Sequence, residues 1–246
     1  MMRTLVLMLF AATATACGGG FRPGEYPDPA ALMAVSEEMF RSGNCNDAIE
    51  GFRQLSFQTP ARDSLGLRAR FMLAECHFAR QEYLEAARQF RRVLDEAPGS
   101  ELGPRALLRA GDAQAQLWKR PELDPTYGDA SLATYQELIT RFPNSEAAKR
   151  ASIKVAWLND LFAEKEFKNG VYYHRLKAYD SAILYFKNLV ADYPQSTYAP
   201  RALLRLVDIY ERLEYKEERG EMCQYLQSFH GEADGVADKC PVASQP

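Results

Sequence analysis

The chain has 246 residues, 47% of them hydrophobic and 26% charged, with a formal net charge of -3 and a pI near 5.8. An acidic balance without a basic stripe excludes a nucleic-acid partner from the expectation, and no segment shows the period-two alternation or Val/Ile/Thr enrichment of a strand set, so the expected fold class is all-α. There is no HExxH, no CxxC and no glycine-rich loop between a strand and a helix, so the chain is expected to be no enzyme and to hold no metal or cofactor.

At the amino terminus Arg3 precedes a charge-free apolar stretch from Thr4 to Ala16. It is shorter than the ~20 residues of a transmembrane helix and suits a secretory signal. Ala14, Thr15 and Ala16 run into Cys17 with Gly18, Gly19 and Gly20 behind, an arrangement similar to a bacterial lipoprotein signal. Residues 1–16 are therefore expected to be removed and Cys17 to become a lipidated first residue. The alternative is an ordinary signal peptide cut nearby, with Cys17 an incidental thiol. A diacylglyceryl group plus an N-acyl chain, as the resemblance implies, exceeds the marginal membrane binding of a single acyl chain. The next residues, 18–29, read GGGFRPGEYPDP and are expected neither to fold nor to form helix, leaving 17–29 as a flexible spacer.

From Ala30 to His230 one spacing recurs. A small residue is followed by an aromatic four positions later and a proline eight positions after that, as Ala48/Phe52/Pro60, Ala86/Phe90/Pro98, Ser131/Tyr135/Pro143 and Ala182/Phe186/Pro194. The small residue admits a neighbouring helix, the aromatic one turn on fills the gap, and the proline ends the helix. Counting twelve, nine and three residues back from Ala182 gives Gly170, Tyr173 and Tyr179; the same slots hold Ala74, His77 and Tyr83 in the second copy and Ser36, Met39 and Cys45 in the first. This is the grammar of a tetratricopeptide-like α-solenoid of about five helix-turn-helix repeats. The expected pairs are Ala30 to Ser42 with Asn46 to Gln58, Leu65 to Arg80 with Glu82 to Glu96, and Glu101 to Trp118 with Tyr127 to Arg141.

The spacing then stretches, from 38 residues between Pro60 and Pro98 to 45 between Pro98 and Pro143 and 51 between Pro143 and Pro194. In the third repeat Gly111 lies twenty rather than twelve positions before Ser131, which points to an inserted turn from Lys119 to Thr126. In the fourth, Ala148, Ala151, Val155, Leu158 and Phe162 recur at helical spacing without Gly or Pro, so one helix from Ser145 to about Leu176 is expected, roughly 48 Å long. A degenerate fifth pair, Ala199 to Leu213 and Tyr215 to Phe229, has Cys223 in the aromatic slot and reads as a cap. Residues 231–246 read as a polar tail.

The runs LeuAspProThrTyr at 123–127, TyrGlnGluLeuIleThrArgPheProAsnSer at 135–145, AspLeuPheAlaGluLysGluPhe at 160–167, TyrTyrHisArgLeuLysAlaTyrAspSerAlaIle at 172–183 and AspTyrProGlnSer at 192–196 resemble the BamD family, the tetratricopeptide lipoproteins of the outer-membrane β-barrel assembly machinery. The likeness covers the mature chain in architecture and is sharpest from Leu123 to Ala202. It implies an outer-membrane protein, lipid-anchored at Cys17 on the periplasmic side, that helps insert and fold β-barrel proteins with BamA and other Bam components. One departure is that Leu184 and Tyr185 stand where the family usually has a polar pair, often Asn-Arg, before the aromatic of the fourth repeat. The alternative is another periplasmic tetratricopeptide lipoprotein, acting in division or pilus assembly. A repeat domain attached to a cell-wall enzyme would need a catalytic domain for which the chain has no room.

Three sets of residues stand out as candidates. First helices of such solenoids line the concave face, which assigns Met33, Glu37, Phe40, Phe71, Glu75 and Phe78 to a groove. Large apolar residues there need a reason. The family's client signal is an extended carboxy-terminal segment ending in an aromatic, so Met33, Phe40, Phe71 and Phe78 would receive the ring while Arg41 or Arg68 meets the carboxylate. The alternative is that an added segment or helix folds into the groove and uses these residues as core. Tyr172 and Tyr185 lie off the repeat's core slots and are candidate partner contacts. The four cysteines beyond Cys17 would pair, in an oxidising compartment, as Cys45 with Cys76 and Cys223 with Cys240, the alternative for the latter being a buried free thiol in the aromatic slot.

Overall fold

The computed structural model describes residues 21–60 and 62–241, and the whole of that region is helices and short connections, with no strand among the described residues. The helices are α1 (Pro29–Arg41), α2 (Cys45–Gln58), α3 (Ser64–Ala79), α4 (Tyr83–Glu96), α5 (Leu102–Leu117), α6 (Thr126–Arg141), α7 (Glu146–Arg175), α8 (Tyr179–Asp192), α9 (Ala199–Arg212), α10 (Lys216–His230) and α11 (Val236–Lys239). Each packs mainly on its neighbours in sequence, and α1, α3, α5 and α7 also touch in succession, as the first helices of a stacked solenoid do. No described helix is long and apolar enough to cross a membrane.

Helix ends follow from local chemistry. Asp28, Asn44, Asp63 and Ser145 accept backbone N–H bonds at the starts of α1, α2, α3 and α7, satisfying donors that have no intrahelical partner. Helices α2, α4, α6 and α8 each stop two residues before Pro60, Pro98, Pro143 and Pro194. Between paired helices one turn is used four times. Gly43, Gln81, Lys177 and Glu214 each take positive φ, and the following N–H reaches back to close the first helix: Asn44 to Met39, Glu82 to His77, Ala178 to Tyr173 and Tyr215 to Tyr210. Only the third repeat, with its insertion, lacks that turn.

The small-aromatic pairs form the core. Ala48, Ala86, Ser131 and Ala182 are wholly buried, as are Phe52, Phe90, Tyr135 and Phe186. A phenol buried there needs a partner, and Tyr135 donates to Asp112 Oδ1 at 2.7 Å; burial first, then the Asp112 carboxylate, pushes its pKa up. The first-helix glycine is the space that the aromatic occupies. A Cβ on Gly170 would stand 2.5 Å from the Phe186 ring, and one on Gly111 2.4 Å from the Tyr135 ring. A Cβ on Gly220, in α10, would meet nothing within 4 Å among the described residues. Gly220→Ala is therefore expected to raise the melting temperature, in line with a helix-propensity gain of up to about 1 kcal/mol, while Gly170→Ala lowers it through overpacking of about 1–3 kcal/mol. Thermal unfolding of the two variants checks this, and shifts of the same sign would refute it.

Helix α7 has 30 residues, about 45 Å of helix. The inserted turn leans on it. Trp118, 4% exposed, ends α5 with its ring 4.6 Å from Phe162 and its edge filling the space above Gly128, while Lys165 Nζ donates to the Leu123 carbonyl at 2.9 Å and Lys168 pairs with Glu122.

One expectation is corrected here. The spacer is not structureless from Phe21 onward: a 3-10 turn spans Pro23–Glu25, and the Phe21 and Tyr26 rings, 5.8 Å apart, pack on the first repeat because two aromatics outweigh the Gly/Pro bias. The polar tail folds back onto α10. Helix α11 places Val236 and Cys240 in the core beside α9 and α10, Gln227 Nε2 bonds the Cys240 carbonyl at 2.7 Å, and Lys239 pairs with Asp208.

Candidate functional site

A concave pocket of about 560 Å³ opens at the amino-terminal end of the solenoid, between α1, α3 and α5. Phe40 and Arg41 come from α1, Arg68 and Phe71 from α3, and Leu102 and Arg105 from α5. Positions separated by three, four and seven residues share a helix face, so the first helices deliver these side chains to one side. Arg68 is held by Glu37 at 2.6 Å, and Arg41 pairs with Glu38 on its own helix. Arg105 makes no ion pair among the described residues, and its guanidinium lies 5.2 Å over the Phe71 ring. The pocket thus combines an apolar floor with an uncommitted cation at its rim, a chemistry suited to an aromatic side chain beside a carboxylate.

Of the six side chains expected from the sequence to receive a client's ring or carboxylate, four meet here: Phe40, Arg41, Arg68 and Phe71. The other two do not. Met33, 4% exposed, is drawn into the core between α1, α2 and α3 with Leu32, Phe52 and Leu73, because the close approach of α3 covers it. Phe78 is covered from the next repeat by Arg109, whose guanidinium sits 3.9 Å over the ring and whose two bonds to Glu75, at 2.6 and 2.8 Å, also occupy that carboxylate. Phe71 itself shows only a margin, since it packs edge-on against Phe90 at 5.3 Å. Phe40, half-buried, is the more accessible ring.

The sequence reading missed Arg105. It stands six residues before Gly111, as Arg68 stands six before Ala74, so the repeat register carried the signal.

Tyr172 and Tyr185 come together through a third ring. Tyr173 meets Tyr172 edge-on at 5.4 Å and stacks on Tyr185 at 5.2 Å, joining α7 to α8. Tyr172 is 59% exposed, and Leu184 beside Tyr185 is 58% exposed. Cys223 and Cys240 are bridged, with Cα atoms 5.2 Å apart, tying α10 to the segment after α11. Cys45 and Cys76, expected to bridge, are free thiols in the structure. Burial first, then Cys45, pushes the Cys76 pKa up, so the thiolate that exchange requires is disfavoured at that sulfur. Cys17 lies outside the described residues.

An outer membrane protein assembly factor BamD of Caulobacter vibrioides is 26% identical over 219 residues, covering 87% of this chain and 72% of the relative. One from Neisseria gonorrhoeae is 27% identical over 210 residues, covering 80% and 77%. Among solved structures, a TPR repeats protein from Bacteroides fragilis aligns with 87% of this chain and 96% of its own at 15% identity and a TM-score of 0.49. Residues 27–224 match the YfiO family model, described as an outer membrane lipoprotein, and the chain belongs to that family.

Proposed function

We propose that this protein is an outer membrane protein assembly factor: a non-enzymatic scaffold that works with BamA and other Bam components to receive β-barrel clients and pass them to the membrane. Membership of an outer membrane lipoprotein family, with relatives named as assembly factors, supports the role. The observation that carries the mode of action is the α1–α3–α5 pocket, where an aromatic-lined floor lies beside Arg68 and Arg105. A client segment ending in an aromatic residue would set its ring against Phe40 and the margin of Phe71, with its terminal carboxylate on Arg105.

In cells depleted of the chain, β-barrel proteins are expected to disappear from the outer membrane and to return with the wild type but not with Arg68→Glu, Arg105→Glu. The same double variant should bind a synthetic client peptide ending in Phe about tenfold more weakly, about 1.4 kcal/mol, with its helical content unchanged. A depletion phenotype confined to division or pili would favour the other scaffold reading and overturn this one. Charge reversal is a cleaner probe than Phe71→Ala, which would also remove a core contact with Phe90.

The anchor belongs to the same proposal. Cys17 would carry the lipid and hold the scaffold on the periplasmic face, with residues 18–20 as the tether. Cys17→Ser should abolish partitioning into a detergent phase, and unchanged partitioning would remove the anchor from the scheme.

A further inference from the structure

The repeat register produces a second pocket at the opposite end of the concave face. Counted from the small-residue slot of each first helix, Phe71 and Phe167 share one position, three residues before Ala74 and Gly170. Arg105 and Arg201 share another, six residues before Gly111 and Val207, each on the first helix of the repeat that follows the phenylalanine. The structure uses both pairs alike: Arg105 lies 5.2 Å over Phe71, and Arg201 lies 4.7 Å over Phe167 and 4.9 Å over Tyr198. Tyr198 stands three residues before Arg201, as Leu102 does before Arg105, and lines the pocket in the same way.

This second pocket, about 330 Å³ between α7 and α9, is more aromatic than the first and, unlike the first with its Glu37, has no carboxylate in its lining. Its walls are Phe167, Val171, Tyr172 and Tyr198, and Arg175 and Arg201 stand at its rim. Neither arginine makes an ion pair among the described residues, and neither does Arg212 further along the exposed face of α9. Arg205 only approaches Asp208, at 4.0 Å, whereas Lys168 is already taken by Glu164 and Glu122. The field of these groups is felt nearby: burial first, then Arg205 and Arg212, holds the His174 pKa below its usual value. Uncompensated arginines on a chain of net charge -3 call for anionic groups from outside, and rings at the same spot call for a flat apolar one.

We propose that the α7–α9 pocket is a second docking site whose occupant is an acidic peptide segment of a protein partner carrying an aromatic side chain. The ring enters between Phe167, Tyr172 and Tyr198, and carboxylates on either side of it pair with Arg175 and Arg201. The site is separate from the α1–α3–α5 pocket, shares no residue with it, and does not depend on the client reading.

The test uses the purified full-length chain and a fluorescein-labelled peptide Gly-Asp-Glu-Phe-Asp-Glu-Gly, followed by anisotropy. Arg175→Glu with Arg201→Glu should weaken binding about tenfold or more, and Tyr172→Ala, which leaves the charges in place, about threefold. Replacing Phe by Ala in the peptide should also cost about threefold, and Arg68→Glu with Arg105→Glu should leave the affinity unchanged. Circular dichroism follows folding in each variant; should the charge reversal reduce helix content, Tyr172→Ala and the Phe-to-Ala peptide decide the matter by themselves. The proposal is overturned by equal binding of wild type and the α7–α9 variants, by indifference to the aromatic residue, or by loss of binding in the Arg68/Arg105 variant. It is also overturned if the peptide does not bind while phosphatidylglycerol vesicles do so through Arg175 and Arg201, which would make this face a membrane contact.

Discussion

Arg70→Ala is expected to destabilise the first two repeats by about 3–5 kcal/mol, among the largest effects of any single substitution in this chain. Arg70 is 6% exposed, lies within 2.6 Å of Glu96 on α4, and bonds the Ser56 carbonyl at the end of α2, so one guanidinium ties three helices together. Removing it strands a carboxylate that is only 17% exposed, although Arg92 stays bonded to it at 2.6 Å, and frees carbonyls at a helix end. The repeat register suggests the control. The slot of Arg70, four residues before the small one, holds the buried Leu32 in repeat one, Leu107 in repeat three and Leu203 in repeat five. Arg70→Leu with Glu96→Leu should therefore cost little or even stabilise, since a buried ion pair repays its desolvation only partly. Denaturation combined with hydrogen exchange localises the change to α2, α3 and α4, which matters because a solenoid need not unfold as one unit. A loss below about 1 kcal/mol for Arg70→Ala would show the pair to be dispensable.

Trp118→Ala should have a comparable effect, about 3–5 kcal/mol, at the centre of the solenoid. The indole fills the junction of α5, α6 and α7 against Gly128 and Phe162. Its Nε1 is buried without a hydrogen-bond partner among the described residues, so Trp118→Phe keeps much of the contact, drops an unpaired donor and should cost clearly less. Loss of hydrogen-exchange protection in Thr126–Arg141 and in the middle of α7 is the expected signature. Stability within about 1 kcal/mol of wild type in Trp118→Ala would mean that the inserted turn is held by Lys165 and Lys168 alone.

Much of the frame was legible because it rests on short-range rules. A small residue, an aromatic one turn later and a proline eight further on fix where a second helix lies, which side of it is buried and where it ends, whatever surrounds it. The long α7 followed from an unbroken helical period, and the inserted turn from one displaced glycine. The same register set Phe40, Arg41, Arg68 and Phe71 on the concave side, since residues three, four and seven apart share a face of any helix.

What the sequence could not decide was how far that side stays open. Whether a concave residue is groove or core depends on how closely the next helix approaches, a property of the packed stack. Hence Met33 is buried under α3, Phe78 is sealed by an arginine from another repeat, and Phe71 offers only an edge. Arg105 completes the first pocket and Arg201 the second from the repeat that follows, contacts between residues more than thirty positions apart. The free pair Cys45 and Cys76 illustrates the same limit: similar height along antiparallel helices brings two thiols together, but the apolar core around Cys76 disfavours its thiolate and the pair stays unjoined. Local spacing determined which faces the helices present; only the tertiary packing, by setting the gaps between first helices, decided which of those faces became pockets.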